Sequence, residues 1–250
     1  MSIYIITHKR FDVPIIIDDA YRTLLVGAYR GHIFGDCFDD EGKNISTSNP
    51  NYCELTGLYW LWKNNKDDYI GIVHYRRYFT RTFQADKALS QSDIYRLLEK
   101  YDIIVPFHAT YKTTIREDLC KESVRVDHLE VMERIIARIH PDYYDDYLSV
   151  INGNRCSLYN MMIMRKELFD KYCEWLFSIL FELEKEVDLS ECTDYQKRIY
   201  GFLSERLLNV WIKHEKIRVG EVGIIPTEVK RDSLTKALTG LKRVILFRLL

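Results

Sequence analysis

The sequence contains few of the residues that interrupt regular structure, with 11 glycines and 5 prolines among 250 residues. This scarcity excludes collagen-like chains and architectures dominated by flexible linkers. The sequence also lacks any apolar run near the ~18 residues of a membrane-spanning helix, and it opens without a secretory leader. We therefore expect a cytoplasmic protein whose six cysteines stay reduced.

Several motifs that would assign a chemistry are missing as well. The cysteines form no C-x-x-C pair and no Cys/His ligand spacing, which argues against structural zinc. The sequence has no G-x-G-x-x-G, no P-loop and no G-x-S-x-G, so dinucleotide, nucleoside-triphosphate and esterase sites are disfavoured. Asp-x-Asp is absent too, and the nearest approach to it is Asp39-Asp40-Glu41 in a predicted loop.

What is present fits one large α/β domain. Hydrophobic residues make up 47% of the chain and charged residues 29%, the balance of a soluble globular protein. Apolar segments typical of strands alternate with amphipathic segments typical of helices, which favours a mainly parallel central sheet. The predicted strands lie at 3–6, 24–28, 69–73, 102–105, 157–164 and 218–225, and the main predicted helices begin near 55, 92 and 129 and cover 166–187 and 195–213.

The net charge of −1 is an average over two unlike regions. Residues 230–250 carry six basic side chains and one acid, whereas the remaining chain carries 30 basic and 36 acidic residues. Within 229–250, Leu234, Leu238, Leu241, Ile245 and Leu249 recur at helical spacing. We therefore divide the chain into a domain over 1–228 and a basic amphipathic helix over 229–250. Such a helix suits an anionic membrane surface, and docking on its own domain or on a second subunit is the alternative.

Two predicted strands end in unusual polar clusters, Thr7-His8-Lys9-Arg10 and His74-Tyr75-Arg76-Arg77. Ligands of open α/β sheets bind beyond the carboxyl ends of strands, and arginine forks match phosphate oxygens. Continued strand geometry would place His74 and Arg76 on one face, with Tyr75 and Arg77 on the other. The alternative interpretation is that these arginines only form ion pairs with acidic residues on the surface. Nucleic-acid binding is disfavoured because the basic patch is local and residues 1–228 are acidic overall.

The helix after Thr193 carries a second set of polar residues. Helical spacing aligns Arg198, Gly201, Glu205 and Asn209 on one face, which we interpret as a face kept clear for a ligand beneath Glu205. An ordinary solvated face is the alternative. Arg206 falls within the apolar stripe of the same helix, so we expect it to be paired or to reach a site.

Glu54 has two interpretations of equal weight. Asn51-Tyr52-Cys53-Glu54 has the spacing of a capping box, in which Glu54 returns a hydrogen bond to the backbone of Asn51. If the helix start faces the ligand cleft instead, Glu54 is placed to hold a sugar hydroxyl.

With these segments identified, the chain resembles a family of bacterial proteins from capsule, exopolysaccharide and O-antigen gene clusters. That family was long described as a domain of unknown function, and some of its members are regarded as galactofuranosyltransferases. The segments that carry the resemblance are Glu54–Asn64, Ile70–Phe79, Tyr159–Met164, Tyr172–Phe177 and Gly201–Leu207, of which the strings HYRR and GFLSER are distinctive.

The resemblance implies a GT-A-like fold and inverting transfer of a sugar to a lipid-linked glycan at the inner face of the cell membrane. The sugar expected from the galactofuranosyltransferases among the family's members is galactofuranose, with UDP-galactofuranose as donor. Many GT-A enzymes hold the donor diphosphate through Mn²⁺ or Mg²⁺ on Asp-x-Asp. Here the comparable place carries His74–Arg77, so a divalent metal stays an open possibility and the arginines are an alternative way to neutralise the diphosphate.

The resemblance also suggests roles for individual residues. An inverting reaction needs one carboxylate base, for which Glu205 is the first candidate and Asp127 and Asp194 are reserves. The predicted donor-binding residues are Thr7, His8, Lys9, His74, Tyr75, Arg76, Arg77 and Arg206, and the predicted acceptor or sugar contacts are Glu54, Asn160 and Arg198. The alternative function is that of a noncatalytic partner, which binds a nucleotide sugar or glycan and tethers a polysaccharide synthase complex at the membrane.

Overall fold

A computed structural model describes residues 1–13, 15, 17–81 and 87–227. The predicted helix over 229–250, with its membrane contact, lies outside these described residues. The strands are β1 Ser2–Thr7, β2 Tyr21–Leu25, β3 Cys37–Phe38, β4 Tyr69–His74, β5 Arg77–Thr80, β6 Ile103–Pro106, β7 Ala109–Thr110, β8 Arg155–Cys156, β9 Met162–Arg165 and β10 Val219–Pro226. The α-helices are α1 Asn49–Tyr52, α2 Leu55–Asn64, α3 Gln91–Leu98, α4 Ile115–Glu122, α5 Val126–Ile139, α6 Tyr144–Ile151, α7 Lys166–Glu186 and α8 Ile199–His214.

The main sheet is mixed rather than mainly parallel, which corrects the prediction from sequence. Its eight strands follow the order β3-β2-β1-β4-β5-β10-β6-β9, and β9 also pairs with β4. The pairs β1–β2, β1–β4, β2–β3 and β6–β10 are parallel, whereas β4–β5, β5–β10, β4–β9 and β6–β9 are antiparallel. The antiparallel half arises because the chain reverses directly after β4 into β5, and because β9 runs back between β4 and β6. The α/β class itself is as predicted.

The sheet separates two hydrophobic cores. On β1, Tyr4 and Ile6 face the larger core, while Ile3 and Ile5 face the smaller one, as the two-residue period of a strand requires. Helices α2, α5, α7 and α8 supply most of the larger core, and α3 covers the smaller one through Ile94 and Leu98. None of the helices within the described residues is both long and apolar enough to cross a membrane.

Helix α2 lies very close to the strands because of Gly57. A Cβ at this position would stand 2.9 Å from both Ile6 Cδ1 and Val26 Cγ1, closer than carbon atoms tolerate. Glycine therefore lets the helix backbone pack directly over β1 and the residues after β2. This packing places the start of α2, and with it Glu54, above the carboxyl ends of β1 and β2.

Two segments differ from their predicted structure. The segment predicted as a strand over 157–164 forms a strand only from Met162, because Tyr159 (φ 76°) and Asn160 (φ 50°) are left-handed. The helix predicted from 195 begins at Ile199, after a 3₁₀ turn over 196–198. Thr193 and Gln196 do exchange the two capping hydrogen bonds, but they cap this turn rather than α8.

Candidate active site

A cleft lies at the carboxyl ends of the parallel strands β1, β2 and β4. The strand order reverses here, because the chain continues from β1 to β2 on one side and then to β4 on the other side of β1. Its first part, which we call the strand-end half, has a volume of about 410 Å³. The residues lining this half alone are Ile6, Thr7, His8, Val26, Asn49, Pro50 and Tyr75. A reversal of strand order is the position at which open α/β sheets bind ligands.

The second part of the cleft, which we call the helix half, lies against the start of α8 and has a volume of about 270 Å³. The residues lining it alone are Arg77, Tyr159, Tyr195, Gly201, Phe202 and Glu205. Five residues line both halves and form a shared wall: Cys53, Glu54, His74, Arg76 and Arg198. The two halves are therefore adjoining parts of one cleft, with a carboxylate and two guanidinium groups where they meet.

A tight turn between β4 and β5 gathers the basic residues of the HYRR string. Strand β4 ends at His74, which pairs with Arg77 across the turn formed by Tyr75 and Arg76. The alternation predicted from continued strand geometry is therefore wrong. Instead, His74, Arg76 and Arg77 all line the helix half, and the Arg77 guanidinium lies 4.2 Å from the centre of the Tyr159 ring.

Burial disfavours the protonated form of the two histidines of the cleft. Burial is the main cause that lowers the pKa of His74, whose Nε2 donates a hydrogen bond of 2.5 Å to the carbonyl of Tyr159. Burial also lowers the pKa of His8, with further contributions from the positive charges of Lys9 and Arg76. The His8 ring packs edge-on against Tyr75, with 5.5 Å between ring centres. The positive charge of the cleft therefore comes from its arginines.

Glu54 faces the cleft and does not close a capping box, so the first of its two sequence interpretations is wrong. Asn51 lies within α1 and donates through Nδ2 to the carbonyl of Lys197. The helical conformation is interrupted at Cys53 (φ 52°), and the next helix, α2, begins after Glu54. Asn160 Nδ2 donates to Glu54 Oε1 at 2.6 Å, which fixes the carboxylate in the shared wall.

Glu205 projects into the helix half from α8, one helical turn after Gly201. Its side chain is 17% exposed, and burial raises its pKa to about 7, with the negative charge of Glu54 adding to the rise. Arg206 Nη1 donates to Glu205 Oε2 at 2.5 Å and offsets part of this effect. A carboxyl with a pKa near neutrality is suited to exchange a proton with a bound substrate.

Arg198 joins the two halves of the cleft. Its Nε donates to Cys53 Sγ at 3.2 Å, and its guanidinium carbon lies 5.9 Å from the centre of the Tyr195 ring and 5.5 Å from that of Phe202. Gly201 lies beside it, but a Cβ there would meet nothing closer than 3.6 Å. The packing of the protein itself therefore does not require glycine at position 201, and Gly201, Arg198 and Glu205 all line the helix half, in agreement with a face kept clear for a ligand.

Several predicted site residues lie elsewhere. Asp127 is 57% exposed and binds Arg125 through both carboxylate oxygens, and Asp194 is fully exposed beside Lys197. Neither lines the cleft, which leaves Glu205 and Glu54 as its carboxylates among the described residues. Lys9 is exposed, with its ammonium 5.0 Å from the centre of the Tyr75 ring, and it lines neither half.

Asn160 and Arg206 support the cleft from behind. Asn160 is fully buried and donates to Ser204 Oγ and Gly201 O in addition to Glu54, so it does not reach a sugar as predicted. Arg206 is 6% exposed and binds Glu205, so it does not line the donor side as predicted. Its position in the apolar stripe of α8 reflects this pairing. Asn209, on the predicted polar face, is also buried and bonds the backbone of Ser157.

In the helix half of the cleft, sequence reasoning missed four lining residues, namely Cys53, Tyr159, Tyr195 and Phe202. Phe202 follows the helical spacing of the apolar residues of α8, and this spacing alone does not separate a core residue from one at the rim of a cleft. The left-handed turn at Tyr159 left no glycine or proline as a signal. The available signal for Tyr195 and Phe202 was their closeness in the sequence to Arg198 and Glu205, which were predicted site residues.

The cleft residues do not match the donor set of a divalent cation. Mn²⁺ and Mg²⁺ prefer carboxylate oxygens, whereas the strand ends here carry His74, Arg76 and Arg77, joined by Arg198. Within the described parts of the chain, no group of three or more His, Cys, Asp or Glu side chains is arranged to hold a metal. We therefore derive no chemical step through a metal ion.

Comparison with known proteins identifies a family and a similar solved structure. A search of curated proteins gave no match. A solved structure described as the bifunctional glycosyltransferase WbbM, in its apo form, is 28% identical to this chain and superimposes with a TM-score of 0.81. The match covers 91% of this chain and 45% of that one, so the chain spans less than half the length of the solved protein. The profile of a domain of unknown function, DUF4422, matches residues 2–216, and the chain belongs to this family.

Proposed function

We propose that this protein is a glycosyltransferase that moves a sugar from a nucleotide donor to a glycan acceptor. The observation that carries the proposal is the two-part cleft, in which arginines and two carboxylates line a common wall between two adjoining spaces. A transferase needs two adjoining substrate sites, with groups that stabilise a leaving diphosphate on one side and a base on the other. The likeness to a bifunctional glycosyltransferase structure supports the same activity.

The donor belongs in the strand-end half and against the shared wall. Thr7, His8 and Tyr75 lie at the strand ends where α/β sheets bind nucleotides. The diphosphate lies against Arg76, with Arg77 and Arg198 within the same cleft. Guanidinium groups bind phosphate oxygens bidentately and stabilise the negative charge that develops as the diphosphate departs. Following the sequence resemblance, we propose UDP-galactofuranose as the donor.

The acceptor hydroxyl is placed in the helix half, next to Glu205. In an inverting transfer, Glu205 removes the proton of the acceptor hydroxyl while its oxygen attacks the anomeric carbon. The bond between that carbon and the diphosphate oxygen breaks on the opposite face, and UDP leaves with the electron pair. The raised pKa of Glu205, about 7, suits this role because a base works best when its pKa lies near the working pH.

Glu54, which Asn160 holds in place, completes the proposed site. Glu54 lines both halves and is positioned to accept hydrogen bonds from the hydroxyl groups of the transferred sugar. The family resemblance suggests a lipid-linked acceptor in capsule, exopolysaccharide or O-antigen synthesis. The basic and amphipathic pattern of residues 230–250 supports a peripheral position on the inner face of the bacterial cell membrane, held through these residues.

A transfer assay tests the proposal. The full chain is incubated with a panel of UDP-sugars and a lipid-linked acceptor analogue, with and without Mn²⁺ or Mg²⁺, and both UDP release and glycosylated product are measured. We expect product with UDP-galactofuranose. Donor binding without transfer or hydrolysis, across every donor and metal, would contradict the proposal and favour the noncatalytic tethering partner.

A further inference from the structure

Two aromatic side chains stand together at the rim of the helix half. Tyr195 is 48% exposed although it is a large aromatic residue, and Phe202 is only partly buried. Their ring centres are 4.9 Å apart, with an angle of 48° between the ring planes. Both residues line the same space as Glu205, and we call the pair the aromatic platform.

The platform is held in place by its surroundings. Phe202 is fixed by α8, and Tyr195 belongs to the turn that is capped by Thr193 and Gln196. The Arg198 guanidinium lies over both rings, 5.9 Å from the centre of Tyr195 and 5.5 Å from that of Phe202, and is itself anchored by Cys53 Sγ. Rings fixed in this way offer contact area at low entropic cost, which is the property that makes aromatic residues effective in recognition.

Phe202 and Glu205 are three residues apart on α8, so their side chains share one helical face. A ring that stacks on the platform therefore lies beside the Glu205 carboxylate. A sugar ring suits this position because its axial C–H groups form an apolar face, whereas its hydroxyl groups point outward from the rim. The electron-rich face of an aromatic ring attracts such C–H groups, and Arg198 is available to the hydroxyls.

We propose that Tyr195 and Phe202 form the subsite that binds the sugar ring of the acceptor. The inference rests on the proposed function for naming the acceptor as the occupant, but the binding of a sugar ring can be measured without turnover. The platform aligns the acceptor by stacking, which leaves a hydroxyl directed toward Glu205. A nucleotide base stacked on the platform is the competing occupant, and the experiment below separates the two.

The test uses saturation-transfer NMR on the full chain with octyl β-glycosides of glucose, galactose and N-acetylglucosamine as probes. We expect at least one of them to bind, with the C–H protons of its sugar ring receiving the strongest saturation and shifting upfield under the aromatic ring current. Tyr195→Ala should weaken this binding about 10-fold, the loss of a stacking contact of about 1.4 kcal/mol. Tyr195→Phe, which keeps the ring, should change it less than about 2-fold.

Tyr95→Ala is the matched control. Tyr95 is 39% exposed and packs against Tyr69 at the start of β4, the end of that strand opposite His74. This variant should bind the glycosides as the unchanged protein does. UDP affinity, measured by calorimetry on every variant, should stay within about 2-fold, because the subsite is separate from the strand-end half.

Three binding results would overturn the subsite: no glycoside binding by the unchanged protein, the same affinity after Tyr195→Ala, or a loss of UDP affinity in that variant. The third result would assign the platform to the nucleotide base. Glycoside binding that depends on Tyr195, in a protein without transfer activity, would refute the proposed function and leave the subsite standing. Transfer activity that is unchanged by Tyr195→Ala would refute the subsite and leave the proposed function standing.

Discussion

Glu205 owes its proposed role to its surroundings rather than to its sequence position alone. Burial and the negative charge of Glu54 raise its pKa, while the ion pair with Arg206 keeps it oriented at the helix half. Asp127 and Asp194 are carboxylates of the same chain, but they are exposed and lie outside the cleft lining. At the scale of single residues, the site therefore depends on which carboxylate is partly removed from water.

Replacing Glu205 by Gln should remove the base while keeping the shape of the side chain. We expect kcat for transfer to fall by about 10² to 10⁴-fold, the usual contribution of a positioned general base. The melting temperature and UDP affinity should change little. Glu167→Gln, an exposed residue of α7, is the control and should keep full activity. A Glu205→Gln enzyme with an unchanged rate would refute this assignment.

The pH dependence of transfer should report the same carboxyl. Burial raises the pKa of Glu205 to about 7, and the base is active only when it is deprotonated. The value of kcat/KM should therefore fall about tenfold per pH unit below pH 7 and level off above it. Measurement over pH 5.5 to 9 checks this, and a profile without an ionisation near pH 7 would count against Glu205 as the base.

We propose that Asn160 is a positioning residue, because its amide holds the Glu54 carboxylate in the shared wall. Asn160→Ala removes the hydrogen bond to Glu54 Oε1, and we expect kcat to fall about 10-fold with UDP affinity retained. The double variant with Glu54→Gln should lose no more than the larger of the two single effects, since both changes act on one carboxylate. Fully additive losses in kcat would show that Asn160 acts independently of Glu54.

At the scale of elements, the glycines of α2 and α8 differ in how closely they are packed. A Cβ at Gly57 in α2 would stand 2.9 Å from Ile6 and Val26, whereas one at Gly201 in α8 meets only ordinary contacts at 3.6 Å. Gly201→Ala should therefore stabilise the fold by up to about 1 kcal/mol, because alanine favours helix. Gly57→Ala should destabilise it by about 1–3 kcal/mol through overpacking. Urea denaturation of both variants checks this, and equal losses would contradict the packing described for α8.

The elements also show what the sequence predicts and what it does not. Period and composition located β1, β4, α7 and α8, and they placed Glu205 beside Arg198 on one face, because such patterns follow from local geometry. The hairpin at His74–Arg77 and the left-handed turn at Tyr159 and Asn160 were not predictable in the same way. The turn at Tyr159 and Asn160 leads into β9, which pairs with the distant strands β4 and β6, and β5 after the hairpin pairs with the distant strand β10.

This difference explains the errors at the site. Asn160 was assigned to a sugar because its segment was interpreted as a strand with alternating faces, whereas the turn buries it behind Glu54. Tyr195 and Phe202 were overlooked because an apolar residue on a helix is expected in the core. The sequence supplied the chemical groups of the cleft, and the tertiary structure decided which of them meet.

At the scale of the whole molecule, the charge is divided between an acidic domain and a basic tail. We expect deletion of 230–250 to release the protein from vesicles that contain phosphatidylglycerol, because the tail carries six of the basic residues. Binding should weaken with added salt and should be absent on phosphatidylcholine alone. Co-sedimentation measures this, and binding that survives the deletion would assign the tail another role.

A structure with an intact UDP-sugar bound would show whether the cleft holds two substrates with Glu205 as the base. We expect the diphosphate against Arg76 and the nucleotide in the strand-end half. We also expect the face of the anomeric carbon opposite the diphosphate to be open toward Glu205 and the aromatic platform. A diphosphate bound away from the arginines, or an anomeric carbon with no carboxylate on its open face, would contradict this proposal.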